Sequence, residues 1–264
     1  MDKVYKFFNL KTKINNFKNS IKIFIFSNFR NTIYSINEIS SDEITLLHHL
    51  GLGDSIICNG IVNYLTKKSI KINLPVLKNN YDQLSFLYSE NNLVNLIPVE
   101  DKNGIYKTDN TMQILRVGYE KNYGKFNKSF YTQLGLPYNY SFKYFYMPIN
   151  TEKEKNLKHH LFDFYGVDKD FILVHNSSSY GSVDLNLKND LPAIFVEKKS
   201  DIFQNMFLYR ALILEAKEIH CIDSSFLHLV ERVETNAKLY FHKLKQENQT
   251  SEKLELYKNW DVII

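Results

Sequence analysis

The stretch that decides the fold is ITLLHHLGLGDSIICNGIVNYL, residues 44–65. It begins with an apolar run of strand length, continues through the glycine-rich turn Gly51-Leu52-Gly53-Asp54, and then carries apolar side chains at helical spacing. This order of strand, tight turn and helix is typical of an α/β unit, in which ligands bind where a strand passes into its helix.

The same order recurs along the rest of the chain. Further strands are predicted at 71–76, 93–99, 171–175, 193–196, 218–222 and 238–241, and helices at 81–88, 151–164, 203–216 and 226–233. Strands that alternate with helices form parallel sheets. We therefore predict an α/β protein with two Rossmann-like domains that face each other across a cleft, residues 43–150 and residues 151–264, after an N-terminal extension, residues 1–42.

The composition limits the class of protein. The chain of 264 residues is 44% hydrophobic and 23% charged, with a net charge of +4, which excludes a wholly disordered chain and gives no argument for a nucleic-acid partner. No run approaches the roughly 20 apolar residues that span a bilayer. Because Cys58 and Cys221 suit a reducing compartment, we expect a cytoplasmic protein.

Residues 1–40 mix lysines with phenylalanines and allow two interpretations. A basic, aromatic segment of this kind contacts anionic membrane surfaces, which would place the protein at the inner membrane surface. The other interpretation is an extension that packs on the first domain with its lysines in solvent.

The first candidate site is the turn at Gly51 and Gly53, whose glycines let the backbone approach a ligand closely. A dinucleotide fingerprint needs a third glycine where this chain has Ile56, so a nicotinamide site is not expected. Asp54 follows directly. Its carboxylate suits either a catalytic base or a cap of the helix, and the spacing alone does not decide between them.

Two polar turns in the second half offer hydrogen-bond donors for a diphosphate. The candidate residues are Asp223, Ser224, Ser225 and His228 in the later turn, and His175, Ser177, Ser178 and Ser179 in the earlier one. Taken singly, His228 could equally be a packed helix histidine, and the earlier turn a solvated loop.

Two other patterns carry no site. The segment from Gly118 to Lys125 resembles a phosphate-binding loop, but its spacing is one residue too long and Phe126 stands where Ser or Thr is required. The histidine pairs at 48–49 and 159–160 lack metal-ligand spacing, so no metal and no cofactor is expected.

Together, Gly53-Asp54 and the stretch from Asp223 to His228 resemble the corresponding turns of GT-B-type glycosyltransferases, in particular the heptosyltransferase-like group that builds lipopolysaccharide and related glycans. The resemblance covers about residues 44–264. It implies that Asp54 is the catalytic base and that Asp223, Ser224 and His228 bind the phosphates of the donor. Ser225 stands where the family has glycine. The family's basic residue near the diphosphate has no clear match; the candidates are Lys188, Lys198, Lys199 and Arg210.

The function implied by this resemblance is transfer of a sugar from a nucleoside diphosphate sugar to a hydroxyl of a glycan or lipid-linked glycan. The transfer would need no metal and would invert the anomeric centre. Two alternatives stay open: a non-catalytic or divergent α/β nucleotide-binding module, and a nucleotide-sugar-modifying enzyme such as an epimerase.

Overall fold

The computed structural model describes residues 31–100, 112–118, 125–178, 181–185, 187, 190–244 and 254–264. Most of the predicted extension, residues 1–30, and the candidate site residue Ser179 lie outside this part of the chain. The described residues form two five-stranded sheets, one in each half of the sequence.

The first half contains one parallel sheet with helices. Its strands are β1 (Thr32–Ile33), β2 (Glu43–Leu47), β3 (Lys71–Leu77), β4 (Val94–Val99) and β5 (Gln113–Arg116). Its helices are α1 (Leu52–Thr66), α2 (Tyr81–Leu87), α3 (Phe126–Gln133) and α4 (Tyr140–Lys143), with 3-10 turns at Ile36–Glu38 and Lys78–Asn80. The strand order β1-β5-β2-β3-β4 puts β2, which leads into α1, at the centre of the sheet.

The second half repeats this design. Its strands are β6 (Ile172–His175), β7 (Ser177–Ser178), β8 (Gly181–Ser182), β9 (Ala193–Phe195), β10 (Glu218–Cys221), β11 (Lys238–His242) and β12 (Trp260–Ile263). Its helices are α5 (Thr151–Tyr165), α6 (Arg210–Glu215) and α7 (Ser225–Val230), with a 3-10 turn at Met206–Tyr209. The main sheet is parallel, in the order β12-β11-β10-β6-β9, while β7 and β8 form a separate antiparallel pair.

Two strands of the first sheet are not evident in the sequence pattern. β1 pairs with β5 so that Thr32 lies opposite Ile114, although the sequence places residues 1–42 in an extension. β1 has only two residues, too few to show the alternation that reveals a strand. The polar Gln113 breaks the apolar pattern of β5. Its buried side chain accepts a hydrogen bond from the N–H of Ser40 and donates one to the carbonyl of Glu38.

The helix expected over residues 203–216 is shorter and begins with a different geometry. Gln204 has a φ of 48°, which interrupts a right-handed helix. The side chain of Asn205 then accepts a hydrogen bond from the N–H of Phe207 at 3.1 Å and caps a single 3-10 turn, after which α6 begins. The apolar periodicity predicts a helix in this segment, but the backbone at Gln204 and the cap at Asn205 make its first turn a 3-10 turn and delay the start of α6 to Arg210.

The longest helix of the first half, α1, is buried along nearly its whole length. It packs against β3 below it and against α3, α4 and α7 around it, so its apolar side chains are not confined to one stripe. A helix enclosed in this way is held in place by tertiary packing rather than by its own helix propensity.

The two halves share one hydrophobic core. A continuous cluster of buried apolar side chains includes members of both sheets. At its edge, Phe86 stacks with Phe207 at 6.4 Å, and Gln83 accepts a hydrogen bond from the N–H of Met206. Because these contacts join α2 to the Met206–Tyr209 turn, the halves are expected to unfold as one unit.

Gly60 is the place where α1 comes closest to α4. A Cβ on Gly60 would lie 2.5 Å from the carbonyl oxygen of Tyr140 and 2.8 Å from the hydroxyl of Tyr131. The first of these atoms is backbone and cannot turn aside, so any side chain here forces the helices apart.

We expect Gly60→Ala to lower the free energy of unfolding by about 1–3 kcal/mol through overpacking. Helix propensity alone predicts the opposite, a gain of about 1 kcal/mol. Urea denaturation measures the change in the free energy of unfolding. The control is Asn156→Ala on the exposed face of α5, where the substitution changes helix propensity without changing the packing. A stabilised Gly60→Ala variant would contradict the close approach.

Candidate functional site

The turn between β2 and α1 is fixed by hydrogen bonds within a few residues. Leu50 adopts a φ of 67°, Gly51 is the N-cap of α1, and the Asp54 carboxylate accepts the Gly51 N–H at 3.1 Å. Asp54 is half-buried. The carboxylate therefore caps the helix, as one of the two sequence interpretations expects, while its side chain still reaches solvent.

His48 supports this turn from below. Its ring is fully buried, and Nδ1 accepts the N–H of Leu50 at 2.9 Å. With Nδ1 acting as an acceptor, the proton of the neutral ring is on Nε2, which lies 3.5 Å from the hydroxyl of Ser55. Ser55 in turn donates to the carbonyl of Gly51 at 3.0 Å. The strained backbone at Leu50 is thus held by a side chain that the sequence analysis treats only as part of a histidine pair.

The second corner lies where β6 and β10 end side by side. His175 is the last residue of β6 and pairs with Cys221, the last residue of β10. Asp223 and Ser224 follow β10, and the Ser224 hydroxyl lies 3.0 Å from Nδ1 of His175. Since neighbouring parallel strands end at one edge, residues from two distant turns meet here.

Ser224 also begins α7. Its side chain accepts the N–H of Leu227 at 3.5 Å, and Ser225 is the first helical residue. After His175, Ser177 and Ser178 belong to the small β7–β8 hairpin and are half-buried. These residues thus surround the same carboxyl edge, with Ser179 outside the described residues.

The two corners are in contact with each other. A Cβ built on Gly53 would lie 3.2 Å from Cδ2 of His228 and 3.5 Å from the Cα of Ser225. Gly53 is in the first turn of α1, and Ser225 opens α7. The carboxyl edges of the two sheets therefore meet through the first turns of the two helices that follow them.

His228 is buried in this contact, and burial together with the positive charge of Arg232 lowers its pKa to about 3. Burial also lowers the pKa of His175 to about 4. Both rings are neutral near pH 7, so neither brings a positive charge to a bound anion. Each can still donate one hydrogen bond.

Two of the four cations proposed from sequence are paired with carboxylates, while Lys198 is exposed. Arg210 forms a two-pronged ion pair with the buried Glu154, at 3.1 and 2.7 Å. Lys199 lies 3.0 Å from a carboxylate oxygen of Glu197, and Lys188 is outside the described residues.

Sequence reasoning missed Arg232, which lies one helical turn after His228. Its guanidinium donates to the His228 carbonyl at 2.8 Å and to the hydroxyl of Ser141 in α4. It also lies over the ring of Phe142, at 5.2 Å. Arg232 therefore ties α7 to the first half of the chain. The spacing of four residues from His228 is the only sequence signal that could have found it.

Comparison with known proteins identifies the architecture. No protein-family model and no curated protein matches the sequence significantly. Among solved structures, the chain is similar to the crystal structure of a glycosyl transferase family 9 protein from Veillonella parvula, with 12% sequence identity and a TM-score of 0.53. The match covers 84% of this chain and 86% of that chain. The chain has a GT-B-like fold. The predicted fold class, two Rossmann-like units facing each other, is confirmed.

None of the helices in the described residues is both long enough and apolar enough to cross a bilayer. The basic, aromatic residues 1–30 lie outside that part of the chain, so a membrane contact through them stays a prediction.

The buried histidines of the two corners make stability depend on pH. The pKa of His48 is lowered to about 3 by burial and by His49 beside it. Its ordinary value of about 6.5 applies to the unfolded chain, which therefore binds more protons than the folded chain below pH 6.5. The stability contributed by the neutral ring is complete above pH 6.5 and is lost progressively as the pH falls toward 3.

We expect the free energy of unfolding of the wild type to fall between pH 6.5 and 5.5 by about 1 kcal/mol more than that of His48→Asn. Asparagine offers an acceptor to Leu50 without titrating. Urea titrations at the two pH values give the difference, and His159→Asn, at an exposed position on α5, is the control. An unchanged pH slope in His48→Asn would show that the ring is not buried and neutral.

Proposed function

We propose that this chain is a glycosyltransferase that moves a sugar from a nucleoside diphosphate sugar to a hydroxyl of a glycan or lipid-linked glycan. In this proposal residues 43–150 hold the acceptor and residues 151–264 hold the donor. The transfer needs no metal ion and inverts the anomeric centre, because the acceptor hydroxyl displaces the diphosphate directly. Two buried cysteine thiols, Cys58 and Cys221, support a cytoplasmic location.

The observation that carries the proposal is the contact of Gly53 with Ser225 and His228. It brings a carboxylate-bearing turn of one sheet beside a hydroxyl-bearing turn of the other. A transfer between two bound substrates needs this arrangement, because an acceptor and a donor must be held within reacting distance. The similarity of the fold to a glycosyl transferase family 9 protein points to the same class of reaction.

On the donor side, the diphosphate would be bound by neutral hydrogen-bond donors. The hydroxyls of Ser224 and Ser225 lie at the turn after β10, and His175 with the Ser177–Ser178 hairpin lies beside them. Donors fixed before the reaction stabilise the charge that develops on the leaving diphosphate. Asp223 would instead contact hydroxyls of the sugar or the ribose, since its negative charge repels phosphate.

On the acceptor side, Asp54 would take the proton of the attacking hydroxyl. The hydrogen bond from Gly51 to Oδ2 orients the carboxylate without removing its charge, and the half-buried side chain is open to solvent on one side. Capping and catalysis are thus compatible roles of one carboxylate. The proton passes from the acceptor hydroxyl to the Asp54 carboxylate as its oxygen bonds to the anomeric carbon, and the nucleoside diphosphate leaves with the electron pair of the broken bond.

The first experiment is a thermal-shift panel of UDP-, GDP-, ADP- and CDP-sugars. A ligand that binds the native state raises the melting temperature, and the shift grows with its concentration relative to its Kd. One nucleotide class is expected to stand out. No shift with any of the four would remove the donor assignment.

With the preferred donor, Asp54→Asn should lower kcat by about 10²–10⁴-fold while leaving donor affinity unchanged, because the amide oxygen still caps Gly51 but cannot take a proton. The matched control is Asp163→Asn, an exposed carboxylate in the last turn of α5, which leads into the amino end of β6 and not its carboxyl edge. Normal turnover by Asp54→Asn would leave Asp54 as a helix cap only. Product NMR reports the anomeric configuration in the same reaction.

Ser224→Ala should weaken donor binding by about 10–100-fold, the cost of losing one hydrogen bond to a charged group. Isothermal calorimetry measures the affinity, and Ser85→Ala in α2 is the control. Because Ser224 also caps α7, the melting temperature of each variant is measured alongside. Unchanged affinity in a folded Ser224→Ala protein would remove this residue from the donor site.

The ion pairs of Arg210 and Lys199 favour a second candidate, a divergent module that binds nucleotide without transferring sugar. Both of these cations are neutralised by carboxylates, so the donor site has less positive charge than a diphosphate usually meets. Such a module would give a thermal shift but no release of nucleoside diphosphate when an acceptor is added. An epimerase would instead change the sugar without any acceptor.

A further inference from the structure

The far end of α1 carries a compact surface that the proposed reaction does not use. It combines tyrosines and lysines from the end of α1 and from α4, and we call it the tyrosine–lysine surface. Its members are Tyr64, Lys67, Lys68, Tyr140, Lys143 and Tyr144. The three tyrosines are half-buried and the three lysines are exposed.

The tyrosine rings form a closed triangle. The ring of Tyr64 lies 5.1 Å from that of Tyr140 and 5.2 Å from that of Tyr144, and the last two lie 4.8 Å apart. The interplanar angle is 54° for Tyr64 and Tyr140, which are tilted, and 65° and 64° for the two pairs with Tyr144, which meet edge to face. The three rings therefore pack against one another as one aromatic cluster.

Each lysine ammonium group lies over this triangle. Lys68 is 4.7 Å from the centroid of the Tyr64 ring, and Lys67 is 5.2 Å from that of Tyr144. Lys143 lies 5.4 Å from the Tyr144 ring and 5.8 Å from the Tyr140 ring. The rings thus gather three positive charges into one small area.

These charges are not neutralised by neighbouring acids. None of the ion pairs among the described residues includes Lys67, Lys68 or Lys143, whereas seven other lysines and arginines of this part of the chain are paired with carboxylates. A group of exposed, unneutralised ammonium groups on amphipathic rings favours an anionic partner.

We propose that the tyrosine–lysine surface docks the protein on an anionic lipid bilayer. Tyrosine and lysine are the side chains that suit a membrane–water interface, because each joins an apolar stem or ring to a polar tip. An anionic glycan is the less favoured occupant, since sugars stack on open ring faces and here each tyrosine ring has a lysine ammonium group over it.

The surface lies away from the two corners. α1 has 15 residues, and the corner contact is in its first turn while Lys67 and Lys68 follow its last. At 1.5 Å per residue the separation along the helix is about 20 Å. Docking by this end therefore leaves the carboxyl edges of both sheets uncovered, and it does not depend on the proposed transfer reaction.

The test is a vesicle-flotation assay with the full chain and two kinds of vesicle, phosphatidylcholine alone and phosphatidylcholine with 30% phosphatidylglycerol. The test variant carries Lys67→Gln, Lys68→Gln and Lys143→Gln. The control carries Lys153→Gln, Lys155→Gln and Lys169→Gln, which removes the same charge from exposed lysines of the second half that are in none of the ion pairs among the described residues. Melting temperatures show whether each variant remains folded.

The wild type should bind the anionic vesicles at low salt and not the neutral ones. Each lysine near an anionic surface strengthens binding about fivefold, so the test variant should lose about 100-fold in partition coefficient. The control should lose less than tenfold, and replacing the same three residues of the surface by arginine should preserve binding.

Equal losses in the test and control variants would overturn the proposal, because the net charge rather than this surface would then set the affinity. Undiminished binding by the test variant would also overturn it and would place the contact elsewhere in the chain. Failure of the wild type to bind anionic vesicles, with binding to a soluble anionic polysaccharide that the test variant loses, would assign the surface to a glycan.

Discussion

The close approach of α1 and α7 at Gly53 is the constraint on which the rest of the structure depends. A Cβ at this position would lie 3.2 Å from Cδ2 of His228, which would have to move by a few tenths of an ångström, and in ordinary contact with the Cα of Ser225 at 3.5 Å. Because glycine allows the contact, each helix can begin at the carboxyl edge of its own sheet and still meet the other. The shared hydrophobic core and the Arg232 bridge to α4 follow from this meeting of the two halves.

The histidines of the corner that results are neutral. Burial keeps the rings of His48, His175 and His228 uncharged. Arg210 and Lys199 are each paired with a carboxylate. An anion bound here would be stabilised by oriented hydroxyls and N–H groups rather than by cations. The Asp54 carboxylate is then the main charge that the first half brings to the corner, which is consistent with a role as a base.

Much of the fold could be predicted from sequence because its signals are local. The apolar run before Gly51 and the helical spacing after it predict β2 and α1, although α1 begins at Leu52, within the predicted turn, and the strand at 171–175 follows from the same reasoning. The strand β1 was not predicted because it has only two residues, and β5 was not predicted because the polar Gln113 and Arg116 flank only two apolar residues. Gln204 and Asn205 moved the start of α6 through capping.

The site could be predicted only in part, because its members come from distant segments. The glycine-rich turn, Asp54 and the turn after β10 were found from residue types at strand ends. The support of Leu50 by His48 and the pairing of Arg210 with Glu154 join residues whose spacing carries no signal. The sequence predicts two domains that face each other across a cleft, but the direct contact of Gly53 with Ser225 joins residues whose spacing carries no signal.

The central claim is that the two corners form one site for a donor and an acceptor. A crystal structure with an intact nucleoside diphosphate sugar tests it most directly. The account predicts the diphosphate against Ser224 and Ser225, with the anomeric carbon facing the Asp54 carboxylate across the contact. A donor bound at any other edge of the sheets, or one whose sugar points away from Asp54, would contradict it.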